Sequence, residues 1–378
     1  MNITTNLEKL KKVISLAEKI TGKNNDLPIL SSLLLETEKG LLKISATNLE
    51  LGIILKIGAK IEKNGKIAVP AKIINNFINN FNFINKIQLK SDEKFLNISS
   101  NNNKTKIKII SNDDFPIIPQ TKKEFLFKIK ADILREIINK LNISVSNQDT
   151  RLEFTGVNII FKDNYLELAS TDSFRLSKII IDLNNKEKGS NYKEIIEKKE
   201  TLIIPFNTLL EINRIIDNNC KEIEFITDQN QIFIKFDNDI LLTSRLINGK
   251  YPDYSQIIPQ KFNTKVNIDK NSLLQAIRLA LVFNNKGELN LKIDNKKNQL
   301  IINSQEQEIG ENKTILEADI QGDNQDIVFN SKYLLDGISV VDSDIVNLKI
   351  IDSDKPIIIT ESNNKKNNFE YILMPIKK

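Results

Sequence analysis

The chain has 378 residues, more than one ordinary hydrophobic core organises, so two or three domains are expected. Hydrophobic residues make up 40% and charged residues 27%, the composition of a soluble globular protein, and no apolar run approaches the roughly 18 residues of a membrane span. Histidine is absent, which excludes Ser-His-Asp and Cys-His catalysis and histidine-based zinc sites. The net charge of +5 permits a polyanionic partner without requiring one.

The N-terminal stretch and the cysteine content indicate the compartment. The start, MNITTNLEKLKK, has no apolar segment ahead of a small-residue cleavage site, so we expect no secretory signal. Cys220 is the single cysteine, which excludes an internal disulfide framework and fits a reducing environment. The sequence therefore predicts a cytoplasmic protein.

Each third of the chain begins with a helical pattern, in which apolar residues recur at helical spacing. These patterns cover residues 6–20, 130–141 and 269–281. Basic side chains, among them Lys12, Arg135, Lys140 and Arg278, fall away from the apolar stripe. For a single lysine a solvated face is the simpler interpretation, but recurrence in three units favours a shared basic surface.

A second helical pattern follows a short strand-like run in each third, at residues 67–78, 202–216 and 327–341. Pro70 and Pro205 lie at the ends of two of these strands, where the missing N–H is harmless. Runs that alternate apolar and polar side chains surround the helices and predict half-buried strands. Each third therefore predicts two helices packed on an antiparallel sheet, an α+β unit.

Two proline-containing segments, 113–124 and 249–263, interrupt the periodicity between the thirds. They resemble each other, as the linkers of a tandem repeat should. We therefore predict three domains, at residues 1–123, 124–259 and 260–378.

The segment TDSFRL follows a strand-like run in the middle third and supports two hypotheses. One makes Ser173 the nucleophile of a hydrolase with Lys178 as its base, but the glycine-flanked turn that exposes such a serine is missing. The other makes the segment a strand-to-turn corner that presents Thr171, Phe174, Arg175 and Leu176 at a surface. Asp172 is then the natural partner of the guanidinium, which is not buried without one.

The sequence offers no cofactor or metal site of a common kind. The 12 glycines form neither a G-x-G nor a P-loop pattern, which excludes the usual glycine-rich nucleotide loops. Two Asp-Ser-Asp triplets, 342–344 and 352–354, have turn chemistry, and we interpret them as turns and not as Mg²⁺ ligands. The last residues, 371–376, are apolar where chain ends are usually polar, so they fill a core strand or line an exposed groove.

Nine motifs, in matching order and spacing, resemble the bacterial DNA polymerase III beta subunits, the sliding clamps. They are DLPILSSLLLET (26–37), ISATNLELGI (44–53), VPAKII (69–74), DDFPIIP (113–119), LASTDSFRLS (168–177), IIPFNTLLEI (203–212), SRLINGKYPDYSQIIP (244–259), VFNSKYLLDGI (328–338) and YILMPIK (371–377). The resemblance covers essentially the whole chain. It implies three tandem DNA-clamp domains per chain and a head-to-tail homodimer, closed into a ring with helices along a central channel.

The resemblance also implies a function and its partners. The ring would encircle double-stranded DNA without sequence preference and would catalyse no reaction. It would tether the replicative DNA polymerase, the clamp loader and other clients that carry short binding motifs. No cofactor, metal ion or membrane enters this scheme.

The resemblance assigns three sets of residues. The DNA channel would be lined by basic helix residues, Lys12, Lys19, Lys23, Arg135, Arg214 and Arg278. Ring closure would join Ile107 and Ile109 of one subunit to Leu281 and Val282 of the other. A groove for client peptides, between the second and third domains, would be lined by Phe154, Thr171, Ser173, Phe174, Arg175, Leu176, Pro252, Ile257, Met374, Pro375 and Ile376.

Two positions depart from the family pattern. The family often has Gly-His where this chain has Ser173 and Phe174, and an arginine where it has Gln256. These replacements predict a more apolar and less basic groove with a changed preference for client motifs. A competing hypothesis is a monomeric, β-rich adaptor that binds peptides but no DNA.

Overall fold

The computed structural model describes residues 1–22, 27–81, 85–100, 103–148, 150–228, 230–236, 239–284, 287–306, 310–362 and 367–377. No helix in these ranges is both long and apolar enough to cross a membrane.

Seven α-helices lie within the described residues. They are α1 (Leu7–Ile20), α2 (Ala71–Asn79), α3 (Ala131–Asn142), α4 (Tyr192–Glu197), α5 (Phe206–Ile215), α6 (Lys270–Leu281) and α7 (Ser331–Ser339). Six of them lie where the apolar spacing predicts a helix, and α4, with six residues, is too short to show that spacing. Asn6 caps α1 by accepting a hydrogen bond from the Lys9 N–H at 2.9 Å, and Asp269 caps α6 through the Ser272 N–H at 2.8 Å.

The same residues contain 25 strands, and every pairing between them is antiparallel. They are β1 (Asn2–Asn6), β2 (Ser32–Glu38), β3 (Leu41–Thr47), β4 (Leu51–Lys63), β5 (Lys66–Pro70), β6 (Lys86–Ser91), β7 (Phe95–Ser100), β8 (Asn103–Lys108), β9 (Phe127–Lys130), β10 (Gly156–Phe161), β11 (Tyr165–Thr171), β12 (Arg175–Asp182), β13 (Thr201–Pro205), β14 (Glu222–Asp228), β15 (Gln231–Phe236), β16 (Ile240–Arg245), β17 (Thr264–Asp269), β18 (Glu288–Asp294), β19 (Gln299–Glu306), β20 (Gly310–Glu317), β21 (Asp319–Gly322), β22 (Gln325–Asn330), β23 (Ile345–Ile350), β24 (Ile357–Glu361) and β25 (Asn367–Leu373).

The chain packs into two compact units. Unit 1 comprises Met1–Arg135, Lys186–Tyr192 and Asn207–Leu246, and unit 2 comprises Glu136–Asn185, Lys193–Phe206 and Ile247–Lys378. Unit 1 holds a sheet of twelve strands, of which nine follow the order β8-β7-β6-β1-β4-β16-β15-β14-β9, while β2, β3 and β5 branch from β4. Unit 2 holds a nine-stranded sheet, β13-β10-β11-β12-β25-β24-β23-β17-β21, and a four-stranded sheet, β20-β19-β18-β22.

The middle third of the chain contributes strands to both units. Its strands β9 and β14 to β16 continue the unit 1 sheet, because β16 pairs with β4. Its strands β10 to β13 belong to the unit 2 sheet, because β12 pairs with β25. The shared sheets satisfy strand edges that a separate repeat would leave unpaired. The boundaries at residues 123 and 259 stay a prediction, since a sheet continues across each of them.

The apolar stripes of the helices are buried as the spacing predicts. On α1, Leu7, Leu10 and Ile14 are each 0% exposed, and on α3, Leu134 and Ile137 are at most 2% exposed. Burial of such stripes supplies most of the stability of helices of this length, which are marginal on their own.

The prediction that Lys140 belongs to an exposed basic face of α3 is wrong. Its side chain is 3% exposed, and its Nζ lies 2.7 Å from Glu136, 2.6 Å from Asp342 and 2.8 Å from Glu361. Burial by itself would lower the pKa of Lys140, but hydrogen bonds to these carboxylates raise it above its ordinary value. Helical spacing could not reveal this contact, because two of the three carboxylates come from the last third of the chain.

Candidate functional site

The TDSFRL segment forms a turn between β11 and β12 that side chains close. The Thr171 hydroxyl donates to the Arg175 carbonyl at 2.7 Å and accepts from the Ser173 N–H at 3.1 Å. The Asp172 carboxylate accepts from the N–H groups of Phe174 and Arg175, both at 3.0 Å. Threonine and aspartate suit these positions because their short side chains reach backbone groups two to four residues away.

The tip of the turn presents an aromatic ring on a fixed backbone. Ser173 has a φ of 78°, in the left-handed region, which costs a residue other than glycine about 1 kcal/mol or more. Phe174 is 61% exposed, although a ring of this size is usually buried. Its carbonyl accepts a hydrogen bond from the Met374 N–H at 3.0 Å, which ties the tip to the end of β25.

Arg175 is largely buried and is neutralised by two carboxylates. Its Nε donates to Asp172 at 2.9 Å, as predicted, and its Nη1 donates to Asp336 at 2.7 Å. Its guanidinium carbon lies 4.0 Å from the centre of the Tyr333 ring, a cation–π contact. Burial by itself would lower the pKa of Arg175, but the hydrogen bonds to Asp336 and Asp172 raise it, so the side chain stays charged.

Tyr333 and Asp336 belong to the site, and the sequence interpretation missed both. They lie three positions apart on α7 and therefore on one face of that helix. The centres of the Tyr333 and Phe174 rings lie 6.5 Å apart. The backbone carbonyl of Tyr333 accepts a hydrogen bond from the Tyr371 hydroxyl at 2.8 Å. Both residues belong to the motif VFNSKYLLDGI, but Arg175, the partner of Asp336, lies more than 150 residues earlier in the chain.

A buried apolar cluster supports the turn. Its members are at most 7% exposed and include Phe154, Leu176, Tyr251, Tyr254 and Ile372. The rings of Phe154 and Tyr251 meet edge to face at 5.9 Å, a favourable arrangement for aromatic pairs. Two predicted groove residues, Phe154 and Leu176, are thus core residues, and a third, Thr171, is 6% exposed.

The predicted groove residues of the 249–263 segment and of the chain end are more accessible. Pro252 and Ile257 are exposed, and Met374, Pro375 and Ile376 are half-buried. The end of the chain is held in place, because the Ile376 N–H donates to the Val328 carbonyl at 2.8 Å. All eleven predicted groove residues lie in unit 2, where the Met374 N–H joins the end of the chain to the exposed Phe174 tip. Such a surface suits a short peptide with apolar side chains.

Two predicted channel residues of unit 1 have protein partners. Lys12 on α1 forms an ion pair with Asp217, and the hydrogen bond from Lys12 lowers the pKa of the Asp217 carboxyl. Arg135 on α3 donates from Nη2 to the Ile216 carbonyl at 2.9 Å. Both side chains therefore stabilise the segment that follows α5.

Three other predicted channel residues are more accessible. The side chains of Lys19 and Arg214 are 59% and 54% exposed, and Arg278 on α6 is exposed. Arg214 contacts Glu211, and burial raises the pKa of that carboxyl. Lys23 lies outside the described residues.

Two strands end their sheets. β8 is the last strand of the unit 1 sheet and β20 the last strand of the four-stranded sheet. The predicted dimer residues lie on or near them. Ile107 on β8 is 4% exposed, and the N–H of Ile109 donates to the Lys94 carbonyl at 3.0 Å. Leu281 at the end of α6 is half-buried and Val282 is 67% exposed, on a helix that packs against β19 and β20.

Family models match nearly the whole chain. The models of the N-terminal, central and C-terminal domains of the DNA polymerase III beta subunit match residues 1–119, 128–253 and 255–377. The chain belongs to the DNA polymerase III beta subunit family. Members of this family, the beta sliding clamps, are processivity factors and non-catalytic subunits of the polymerase. The hypothesis of a hydrolase centred on Ser173 is therefore wrong.

Relatives of full length agree with the family models. The beta sliding clamp of Buchnera aphidicola subsp. Rhopalosiphum padi is 30% identical over 380 residues, covering 98% of this chain and 97% of that protein. The clamp of Synechococcus elongatus is 26% identical over 383 residues, covering 100% and 99%. The crystal structure of the DNA polymerase sliding clamp from Bacillus subtilis has the same fold, with a TM-score of 0.92, 22% identity and coverage of 100% and 99%. The predicted α+β clamp fold is confirmed.

Proposed function

We propose that two copies of the chain close into a ring that encircles double-stranded DNA and tethers the replicative polymerase to it. Each copy contributes three clamp domains, 1–123, 124–259 and 260–378. The observation that carries this proposal is the match of three beta subunit domain models, in order, along the full length of the chain.

A ring can stay on DNA without binding the DNA tightly. A protein that grips phosphates directly binds in a strongly salt-dependent way, and such contacts oppose sliding. A closed ring retains DNA by topology and needs only a weakly basic lining, for which a net charge of +5 is sufficient. We expect the accessible Lys19, Arg214 and Arg278 to attract DNA most strongly. Lys12 and Arg135 should contribute less, because Lys12 already forms an ion pair and Arg135 already donates a hydrogen bond within the protein.

Pairing of β8 with β20 of a second copy would close the ring. β8 carries the exposed Lys104, Lys106 and Lys108, and β20 carries the exposed Glu311 and Glu317 with one exposed lysine, Lys313, between them. Opposite charges on facing strands stabilise a pairing, and the pairing gives partners to backbone groups at both sheet edges. Because the contact is head-to-tail, two copies close the ring with two identical joints.

Apolar side chains strengthen this proposed joint. Val282 is 67% exposed and Ile315 on β20 is 51% exposed. Ile107 lies on β8, Ile109 follows that strand, and Leu281 ends α6, which packs against β20. The family resemblance implies that all three belong to the joint. Burial of exposed apolar area in the joint supplies the main driving force for association.

The accessible surface around Phe174 serves in this proposal as the docking groove for the polymerase, the clamp loader and other clients. Apolar walls with few polar anchors accept short linear peptides. Met374 suits a surface that accepts several partners, since its side chain adapts its shape. One short peptide would bind with about micromolar affinity, about −8 kcal/mol, which lets clients exchange.

Retention on nicked circular DNA tests the ring. We expect the protein to co-elute with the nicked circle and to be lost after one double-strand cut. The triple variant Lys19→Gln, Arg214→Gln and Arg278→Gln is the matched control, because it should associate more slowly yet still depend on the circle. Equal retention on circular and linear DNA, weakened by salt to the same extent, would contradict the ring.

Light scattering separates the ring from the adaptor hypothesis. A closed ring of two chains predicts a mass of twice 43.2 kDa at micromolar concentration. A mass near one chain would favour the monomeric adaptor.

Phe174→Ala tests the groove. We expect the affinity for a short apolar peptide to fall about tenfold, as at an exposed aromatic anchor of an interface. Phe95→Ala is the control, because Phe95 is a partly exposed phenylalanine of unit 1. An unchanged affinity for the Phe174 variant would contradict this placement of the groove.

A further inference from the structure

The turn that carries the candidate groove occurs twice in the chain. In unit 1 the turn between β3 and β4 reads TNLEL, against TDSFR in unit 2. The Thr47 hydroxyl donates to the Leu51 carbonyl at 2.7 Å and accepts from the Leu49 N–H at 3.0 Å. Asn48 Oδ1 accepts from the N–H groups of Glu50 and Leu51 at 3.0 and 2.7 Å. These hydrogen bonds repeat those of the unit 2 turn position by position.

The two turns also share their backbone. The third residue has a φ of 78° in both. In both, the carbonyl of the fourth residue accepts a hydrogen bond from an N–H at the end of the neighbouring strand. Glu50 accepts from Arg245 at 3.0 Å, and Phe174 accepts from Met374 at 3.0 Å. The unit 1 turn is therefore an internal control for the unit 2 turn.

The turns differ in charge. Where unit 2 has Asp172 and Arg175, unit 1 has Asn48 and Leu51. The unit 1 turn lacks the Asp–Arg pair and closes with the same hydrogen bonds, so the ion pair is not what forms the turn. The carboxylate and the guanidinium of unit 2 must serve another purpose.

We propose that Arg175 is a positioning residue of the groove, an inference that rests on the proposed peptide-binding function. Its ion pairs with Asp172 and Asp336 hold the guanidinium against the ring of Tyr333. The planar guanidinium pairs with the two carboxylates through separate N–H groups, at Nε and Nη1, while it lies over the ring. The Tyr333 ring is thereby fixed beside Phe174 as one wall of the groove.

The same arrangement determines which peptides the groove accepts. One guanidinium between two carboxylates leaves a net charge of −1, and the Arg175 side chain is only 11% exposed. A guanidinium whose Nε and Nη1 are engaged offers little free charge to an acidic peptide. The groove therefore takes a neutral segment, with a branched or aromatic side chain against Phe174 and Tyr333, and does not select acidic residues.

Two capped hexapeptide probes test this inference on the full chain. The neutral probe carries two leucines, one phenylalanine and three serines, and in the acidic probe aspartates replace the serines. The variants are Asp172→Asn, Asp336→Asn and their combination, each titrated at low and high salt. Asparagine at 172 keeps the turn closed, because Asn48 closes the copy in unit 1, and Asn48→Asp is the matched control outside the groove.

We expect the wild type to prefer the neutral probe, with an affinity that salt changes little. The double variant frees the guanidinium. Its affinity for the neutral probe should fall about fivefold, since the Tyr333 ring loses a fixed cation–π partner. Its affinity for the acidic probe should rise, and salt should abolish the gain. The single variants should be intermediate, and the control should match the wild type.

Three outcomes overturn the inference. If the wild type prefers the acidic probe and Arg175→Gln removes that preference, the guanidinium is a direct peptide contact. If the double variant binds both probes as the wild type does, Arg175 positions nothing. If the wild type binds neither probe, the proposed groove is wrong and this inference fails with it. The first two outcomes differ from this one because in both of them the wild type binds a probe.

Discussion

The two strand junctions that join the thirds of the chain are built differently. In unit 1, β4 pairs with β16 through uncharged residues, such as Ile53 opposite Leu242. In unit 2, β12 pairs with β25 with Lys178 directly opposite Glu370, and their Nζ and Oε2 lie 3.0 Å apart. Arg175 begins the same strand pair and adds its own ion pairs.

The difference in charge between the two junctions matches the different role of each one. Apolar burial stabilises without requiring an accurate arrangement, and it suffices where a junction only holds strands together. Partly buried ion pairs add little net stability, because desolvation offsets their attraction, but they fix the orientation of side chains. The junction with the candidate groove is the charged one. We therefore expect charge changes to affect unit 2 and volume changes to affect unit 1.

The largest expected effect is that of Lys140→Met in unit 2. The substitution leaves the Glu361 carboxylate, 9% exposed, without its buried partner. We expect the free energy of unfolding of unit 2 to fall by about 3 kcal/mol, as for a broken buried ion pair. Hydrogen exchange on β24 and β25, compared with β4 and β16, measures it.

Lys198→Met is the matched control in the same unit, because its partner Glu194 and Lys198 itself are both more than half exposed. It should leave exchange unchanged. Equal protection in the Lys140 variant and this control would show that unit 2 does not depend on its buried charge.

A smaller effect is expected from Gly52→Ala in unit 1. A Cβ at this position would lie 2.8 Å from Ile118 Cγ2, so the variant should lose about 1 kcal/mol or more by overpacking. Denaturant unfolding measures the loss, and trimming Ile118 to alanine should relieve the clash. Gly58→Ala on the same strand is the control, because a Cβ there meets nothing within 4 Å. A loss of the same size at Gly58 would contradict the packing explanation.

A charge swap across the unit 2 junction should have a still smaller effect. Lys178→Glu places two carboxylates opposite each other and should cost about 0.5 kcal/mol, and adding Glu370→Lys should restore most of it. A double-mutant cycle in low salt measures the coupling. Additive effects of the two substitutions would show that this pair does not act across the junction.

The smallest expected effect is a pH dependence of unit 1. Burial raises the pKa of Glu211, so the folded state binds a proton at a higher pH than the unfolded state does. The stability of unit 1 should therefore rise slightly as the pH falls from 7 to about 5, and Glu211→Gln should lack that rise. The stabilising cations Lys140 and Arg175 of unit 2, whose pKa values are raised, stay charged over this range. A steeper rise in unit 2 than in unit 1 would contradict this assignment.

Local sequence patterns predicted the helices and strands, but they did not predict contacts between residues that are distant in sequence. Apolar spacing located six helices, and Pro70 and Pro205 end their strands as expected. The Asp172 partner of Arg175 was predictable because it lies three residues away. Asp336 and the carboxylates around Lys140 were not, since they are distant in sequence and meet only through the sheets. The two-unit packing was hidden for the same reason, because strand order and not strand pattern creates it.

Covalent closure of the ring on DNA tests the central claim most directly. A carbodiimide would join lysines of β8 to glutamates of β20 in the protein bound to a nicked circle, and sodium dodecyl sulfate would then unfold it. We predict that the cross-linked dimer stays with the intact circle in detergent and is released by a single double-strand cut. Release from the intact circle by detergent, despite complete cross-linking, would contradict the account.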